Sequence, residues 1–258
     1  MHSNTDKESP NPWDWAWRLG PLAFVLLAWE AVARAGLVNP HVFPPASEIL
    51  LRWLALFTAG DAYRPFFDTL WRSLTGLAGA IVVGVPLGIL MGRVRWAEWF
   101  FTPLFSFAFP LPKIALIPLY VQWFGLFDLS KVMLIFTDCL FPIVIFAYHG
   151  AHDVDQNYIW SAQARGTGRL RMLWRVILPL SLPSIFDGVQ VAVIVAVLVA
   201  VVTEMISGGS GLGYLMMNAY RYGDVSTAFA TLLIISLIGF ALYRGAQMLR
   251  SRMLFWYL

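Results

Sequence analysis

The sequence predicts an all-α, polytopic membrane protein with six transmembrane helices, and three observations lead there. Apolar residues fill 59% of the 258 positions and charged residues only 13%, with a mean hydropathy of +0.68, against roughly 45–50% apolar and about 25% charged in soluble domains. Six stretches reach the ~20 mainly apolar residues needed to cross a ~30 Å hydrocarbon core. Arginines cluster in alternate connections between them, the pattern left by retention of positive charge on the cytoplasmic side. No linker or change of composition divides the chain, so one transmembrane domain over 18–258 is expected after a cytoplasmic N-terminal segment of 1–17.

The first apolar segment runs from about Arg18 to Val38, with Glu30 and Arg34 near its far end, where ionised groups reach the interface. The second, Ser73 to Gly92, is uncharged and bracketed by Arg72 and Arg93. Within it Gly76, Ala80, Gly84, Gly88 and Gly92 recur on one face, and such small side chains let helix backbones approach closely in lipid. Pro86 is expected to add a local bend. The third segment, about Trp99 to Phe127, contains Pro103, Pro110, Pro112 and Pro118 and should kink or break. The fourth covers about Val132 to Ala151, the fifth about Asp187 to Ser207, and the sixth Val225 to Tyr243 between Asp224 and Arg244.

Starting inside, six crossings place Arg93 and Arg95, then Arg165, Arg169, Arg171 and Arg175, then Arg244, Arg250 and Arg252 in the cytoplasm. The external connections carry Arg52 and Arg64, Lys131, and Arg221. Both termini are therefore expected inside, with Trp13, Trp15, Trp17, Trp96, Trp99, Trp256 and Tyr257 anchoring one interface. The first apolar run is not followed by an A-x-A-like cleavage site, so the N-terminus is expected to be retained.

Several chemistries are argued against. The basic residues form no continuous stripe with interleaved aromatics, so nucleic acid is not an expected partner. Cys139, the single cysteine, reads as a small core residue. No Gly-x-x-x-x-Gly-Lys-Ser/Thr loop occurs, so no P-loop nucleotide site is expected. The glycines between Gly208 and Gly213 lack the preceding strand and following acid of a dinucleotide fingerprint and read as an external turn. His149 and His152 stand beside Asp153 and Asp155 at a helix end, where solvated polar residues are ordinary, so no metal site is expected. No Ser/His/Asp arrangement has supporting context, and no catalytic residue is assigned.

The most informative stretch lies between the fourth and fifth segments, within about 152–182. From Trp160 to Pro179 it reads as a short helix, a turn at Gly166 and Gly168, and a second helix stopped by Pro179. Leu170, Leu173 and Trp174 offer an apolar side to rest on the bundle, and the arginines from Arg165 onward face outward. Anionic lipid headgroups and a protein partner are both plausible recipients of such a hairpin. The spacing of Ala162, Gly166, Val176, Leu178 and Pro179 resembles the cytoplasmic loop of permease subunits of ATP-binding-cassette importers. That loop has the pattern Glu-Ala-Ala, three residues, Gly, nine residues, an aliphatic residue, one residue, Leu-Pro. Trp160, Ser161 and Ala162 occupy the Glu-Ala-Ala positions, and Trp160 replaces the usual glutamate.

Further likeness covers roughly Leu37 to the C-terminus. Val38-Asn39-Pro40, Phe43 to Glu48, Trp123 to Leu126 with Ser130-Lys131, Phe141-Pro142-Ile143, and Glu204 with Gly208 to Gly213 are similar to the branch importing sulfonates, taurine and nitrate. The resemblance implies the type I importer permease fold, like the molybdate and methionine permeases, in the bacterial inner membrane. It implies a coupling helix at Trp160, Ser161, Ala162, Arg165, Gly166, Thr167, Gly168 and Arg169, with Trp160 packing into the partner's groove. It also implies two separate ATPase subunits that bind ATP and Mg, no cofactor on this chain, a second permease copy, and a periplasmic or lipid-anchored solute-binding protein. An ion-gradient transporter would be expected to show inverted repeats and paired broken helices; one broken segment and no convincing repeat are visible. A non-transporting scaffold with a lipid-binding hairpin is the other competing reading.

Three ionisable residues fall at membrane depth, where charges usually face a cavity or a partner: Lys113, Asp138 and Glu204. Either Lys113 and Asp138 neutralise each other, or Lys113 offers positive potential to an anionic solute while Asp138 holds it in place. The cost of leaving either charge alone in lipid favours the pair. For Glu204, gating, docking of the binding protein and helix packing all remain open.

Overall fold

The computed structural model describes residues 14–39 and 42–255. Trp13, Trp256 and Tyr257 of the expected aromatic belt lie outside these residues, as does most of the expected N-terminal segment. Eleven α-helices follow in order: α1 (Asp14–Arg34), α2 (Ala46–Thr58), α3 (Tyr63–Arg93), α4 (Arg95–Ala108), α5 (Ile117–Phe124), α6 (Asp128–His152), α7 (Gln156–Ala164), α8 (Arg169–Met172), α9 (Leu178–Ser207), α10 (Leu212–Arg221) and α11 (Val225–Met253). A 3₁₀ turn, Lys113–Leu116, precedes α5, and a π turn, Leu173–Ile177, joins α8 to α9.

By length and apolarity four of the described helical stretches can cross a membrane: α3, α6, the continuous Arg169–Ser207 and α11. The pair formed by Arg95–Ala108 and Lys113–Phe124, bent by 86°, makes a fifth if counted as one span. This is the break expected in the third segment. The expected first crossing falls on α1, which is 21 residues long and lies partly outside the residues whose side chains are described.

The core is a triad of α3, α6 and α9. A Cβ on Gly76 would sit 2.6 Å from Ile135 Cγ2, one on Gly84 2.8 Å from Ile143 Cγ2, and one on Gly88 2.6 Å from the Val144 carbonyl oxygen. The expected small-residue face is thus the surface on which α6 rests, and α3 remains helical through Pro86. On the other side of α6, Gly188 and Ser184 of α9 lie against Phe146, whose carbonyl accepts from Ser184 Oγ at 2.7 Å. Cys139 is fully buried between α6 and α9 and donates to the Ala192 carbonyl. Around the triad, α11 packs with α2 and α10 through Ile234, Ile238, Ile49, Leu56 and Leu212. The far end of α1 is fastened by Trp29, which donates to the Pro44 carbonyl and stacks on Phe43.

Boundaries differ from expectation where charges find partners. The second span begins at Tyr63, ten residues before Ser73, because Arg72 is paired inside the bundle and need not end the helix. The fifth begins far ahead of Asp187: Pro179 does not stop the second hairpin helix, which continues from Arg169 to Ser207. A proline lacks an N–H and its ring crowds the carbonyl four residues back. The π turn immediately before it widens the backbone at that place and absorbs both effects. Two helices occupy stretches expected as loops, α2 and α10.

Candidate functional site

The hairpin is built from its cap upward. Asp155 caps α7, its carboxylate accepting from the Asn157 N–H at 2.9 Å. Ile159, Ala162, Met172 and Ile177 point inward, and all but Ala162 join Ile89, Ala147, Ala151 and Ile185 in one apolar cluster. The turn closes with Gly166 at φ +73°, while the Thr167 N–H reaches back to the Ala162 carbonyl at 3.1 Å, the left-handed helix ending that glycine allows. Gly168 is not left-handed but extended, at φ −67°. Leu170 and Trp174, expected on the bundle, are 76% and 66% exposed. Leu173 packs on the bundle as expected, and Met172 and Ile177 take the inward positions beside it.

The outward surface therefore combines Tyr158, Trp160, Ser161, Leu170 and Trp174 with Arg165, Arg169, Arg171 and Arg175, all exposed. Thr167 is half-buried beside the exposed Gly166 and Gly168. An open cleft of about 400 Å³ runs between Tyr158, Ser161, Arg165, Arg171, Arg175 and Pro179. A groove with three arginines and one tyrosine in its lining suits a ligand or partner carrying carboxylates.

At the opposite end of the triad lies a buried polar network. Glu204 is fully buried and accepts from Arg72 Nη1 at 2.7 Å, Thr69 Oγ1 at 2.8 Å and the Gly213 N–H at 3.0 Å. Arg72, also buried, donates onward to Asp128 at 2.8 Å and to the carbonyl and hydroxyl of Ser210. Lys131, expected in an external connection, is buried in α6 and donates to the Gly208 carbonyl at 2.7 Å. The Gly208 to Gly213 turn is thus pinned onto Glu204 and Lys131. Gly211 sits at φ +111° with its α-carbon against the Glu204 carboxylate, leaving no space for a side chain. Sequence reasoning singled out Glu204 and missed Thr69, Arg72 and Lys131. The available signal was a buried acid with three basic or hydroxylic residues at the same end of neighbouring spans.

Midway along the bundle, the broken segment brings Lys113 to 3.4 Å from Asp138. Its ammonium also lies 4.1 Å from the centroid of the Phe141 ring. Next to Asp138 on α6, Thr137 shares a hydrogen bond of 2.7 Å with Tyr120. The break in the third segment thus meets one face of α6 through an ion pair, a cation–π contact and a hydroxyl pair.

A helical bundle with a proline-broken span and a rooted, outward-facing hairpin is the architecture of a polytopic membrane protein. Residues 84–255 match the family described as binding-protein-dependent transport system inner membrane component, and the chain belongs to it. It is 30% identical over 256 residues to the taurine transport system permease protein TauC of Escherichia coli strain K12, covering 94% of this chain and 93% of that protein. It is 27% identical over 252 residues to the putative aliphatic sulfonates transport permease protein SsuC of Bacillus subtilis strain 168, covering 97% and 91%. The fold is that of the MetNI methionine ABC transporter in inward-facing conformations, with TM-score 0.58 and 16% identity over 72% of this chain and 93% of that chain. The chain is accordingly a multi-pass inner-membrane transport subunit of the ABC importer class.

Proposed function

We propose that this chain lines the pathway for a small sulfonate-like solute, taurine or an aliphatic sulfonate among the candidates, and couples its passage to separate ATPase subunits through the α7–α8 hairpin. The relatives named for taurine and sulfonates support the solute class. The observation that carries the coupling is the hairpin itself, rooted by buried Ile159 and Met172 yet presenting Trp160, 62% exposed, and four arginines. Both termini and the hairpin face the cytoplasm in this reading. Two ATPase subunits, holding ATP and Mg, grip the hairpins of two permease copies, and an external binding protein delivers solute between them. Two-fold pairing is the usual way for such small bundles to enclose a path.

Lys113 and Asp138 serve in this reading as a structural pair that holds the broken span to α6, with the solute elsewhere. Glu204 and Arg72 close the outer end by fixing the glycine turn. The continuous helix from Arg169 to Ser207 connects the hairpin to that network, so motion imposed at one end reaches the other. The reading is tested by copurification with the ATPase. No atom lies within 4 Å of a Cβ built on Gly166, so Gly166→Val acts through its positive φ alone. The variant should insert normally and lose most of the bound ATPase, with Trp160→Ala weakening it further. Undiminished recovery in both would end the coupling assignment.

A further inference from the structure

A second, larger cleft opens at the hairpin end on the side away from the groove just described. It has a volume of about 890 Å³ and lies between the last turns of α3, the start of α4 and α8 with the π turn that follows it, within the ~300–1,000 Å³ range of small-molecule sites. Val85, Ile89, Leu90, Leu173, Trp174 and Ile177 form its apolar lining, floored by the buried Ile89 and Ile177. Arg93, Arg95 and Arg169 share its lining. Among the described residues none of these arginines has a carboxylate partner, and Arg93 reaches only the Ala151 carbonyl at 3.4 Å.

The order of these groups along the helix is informative. From Val85 to Arg93 α3 rises ~12 Å, so the cationic mouth stands at the end of the span and the apolar walls run down toward its middle. An anionic diacyl phospholipid presents its groups in the same sequence, phosphate first and hydrocarbon beneath. We infer that the cleft holds one anionic phospholipid, its phosphate among Arg93, Arg95 and Arg169 and an acyl chain along Val85, Ile89 and Leu90. Free phosphate would use the arginines but leave the walls wet, and a neutral lipid would leave three cations unmatched. A second copy of the chain has few carboxylates to offer at this end: Glu98 accepts from Tyr148, Asp187 pairs with Arg250 and Asp155 caps α7, which leaves, among the described residues, the exposed Asp153 against three arginines. The bound lipid ties α3 to α8 and so steadies the root of the hairpin, whatever solute the permease carries.

Native mass spectrometry of the full chain released from phosphatidylcholine vesicles containing phosphatidylglycerol tests this. The wild-type chain should retain about one phosphatidylglycerol in preference to phosphatidylcholine. Arg93→Gln/Arg95→Gln/Arg169→Gln should weaken that retention on the order of 100-fold, from the contribution of each basic residue near an anionic headgroup. Leu90→Trp, which keeps the arginines and fills the apolar wall, should also lose the lipid, while Arg221→Gln at the other end should retain it. Matching melting temperatures in phosphatidylcholine alone exclude loss of fold as the cause. Unchanged retention in the triple variant would overturn the site. So would inorganic phosphate competing fully while Leu90→Trp binds normally, or a Leu170→Cys cross-link between copies that excludes the lipid.

Discussion

Arg72 satisfies Glu204, Asp128 and Ser210 at once while almost fully buried. Removing one partner of a buried pair strands the other charge, at a cost of ~3–5 kcal/mol. Arg72→Met should therefore lower the melting temperature in detergent sharply, and adding Glu204→Gln should restore a good part of it. The Lys113 pair makes a different forecast, because its ends retain some exposure. Lys113→Met and Asp138→Asn should each impair flux, and the double variant should recover both assembly and transport. Failure of the double variant with intact assembly would assign Lys113 to the solute. Lys113, Asp138 and Glu204 were legible as charges inside apolar runs. Arg72 and Lys131 were not, since each sits where a hydropathy window ends, and no local spacing ties residue 72 to residue 204.

The α3–α6 contact shows how far spacing can be read. Gly76, Ala80, Gly84 and Gly88 announce a packing face, and the structure places Ile135, Ile143 and Ala147 on it. Gly88→Ala would push against the Ala147 methyl and the Val144 carbonyl, each 2.6 Å from the added Cβ. Overpacking of this kind costs ~1–3 kcal/mol, measurable as a lower melting temperature. Ala147→Gly should relieve it only in part, because the carbonyl stays. Gly239→Ala, with nothing within 4 Å, should be tolerated. The break in the third segment was equally legible, because four prolines in one span admit few alternatives. The continuation through Pro179 was not: a π turn is set by packing around Met172 and Ile177 and leaves no local mark in composition.

Composition and periodicity were enough for an all-helical membrane bundle, but α2 and α10 are short amphipathic helices that gain stability by packing, α2 on α11 and α10 on α11, α9 and α3. The existence of α2 depends on contacts 172 and 175 residues away in sequence. Arg52 of α2 binds Thr227 at 2.6 Å and Asp224 at 2.8 Å. Burial raises the Asp224 carboxyl, but bonds from the Thr227 side chain and N–H and from Arg52 outweigh it and hold the group below its usual range. A depressed carboxyl stabilises the fold above its unfolded value and loses that contribution as pH falls through the folded one. Protection of α2 amides, taken relative to the intrinsic exchange rate at each pH, should thus be flat at neutral pH and fall only below pH ~4, and Asp224→Asn should abolish that acid step.

The unbroken rod from Arg169 to Ser207 also sets a mechanical gain. Its 39 residues span ~58 Å, so a tilt of ~5° at the hairpin carries the far tip by ~5 Å, comparable to one helical pitch. A lever of that length turns a small displacement at the hairpin into one, at the Glu204 end, as large as the bonds that hold the glycine turn there.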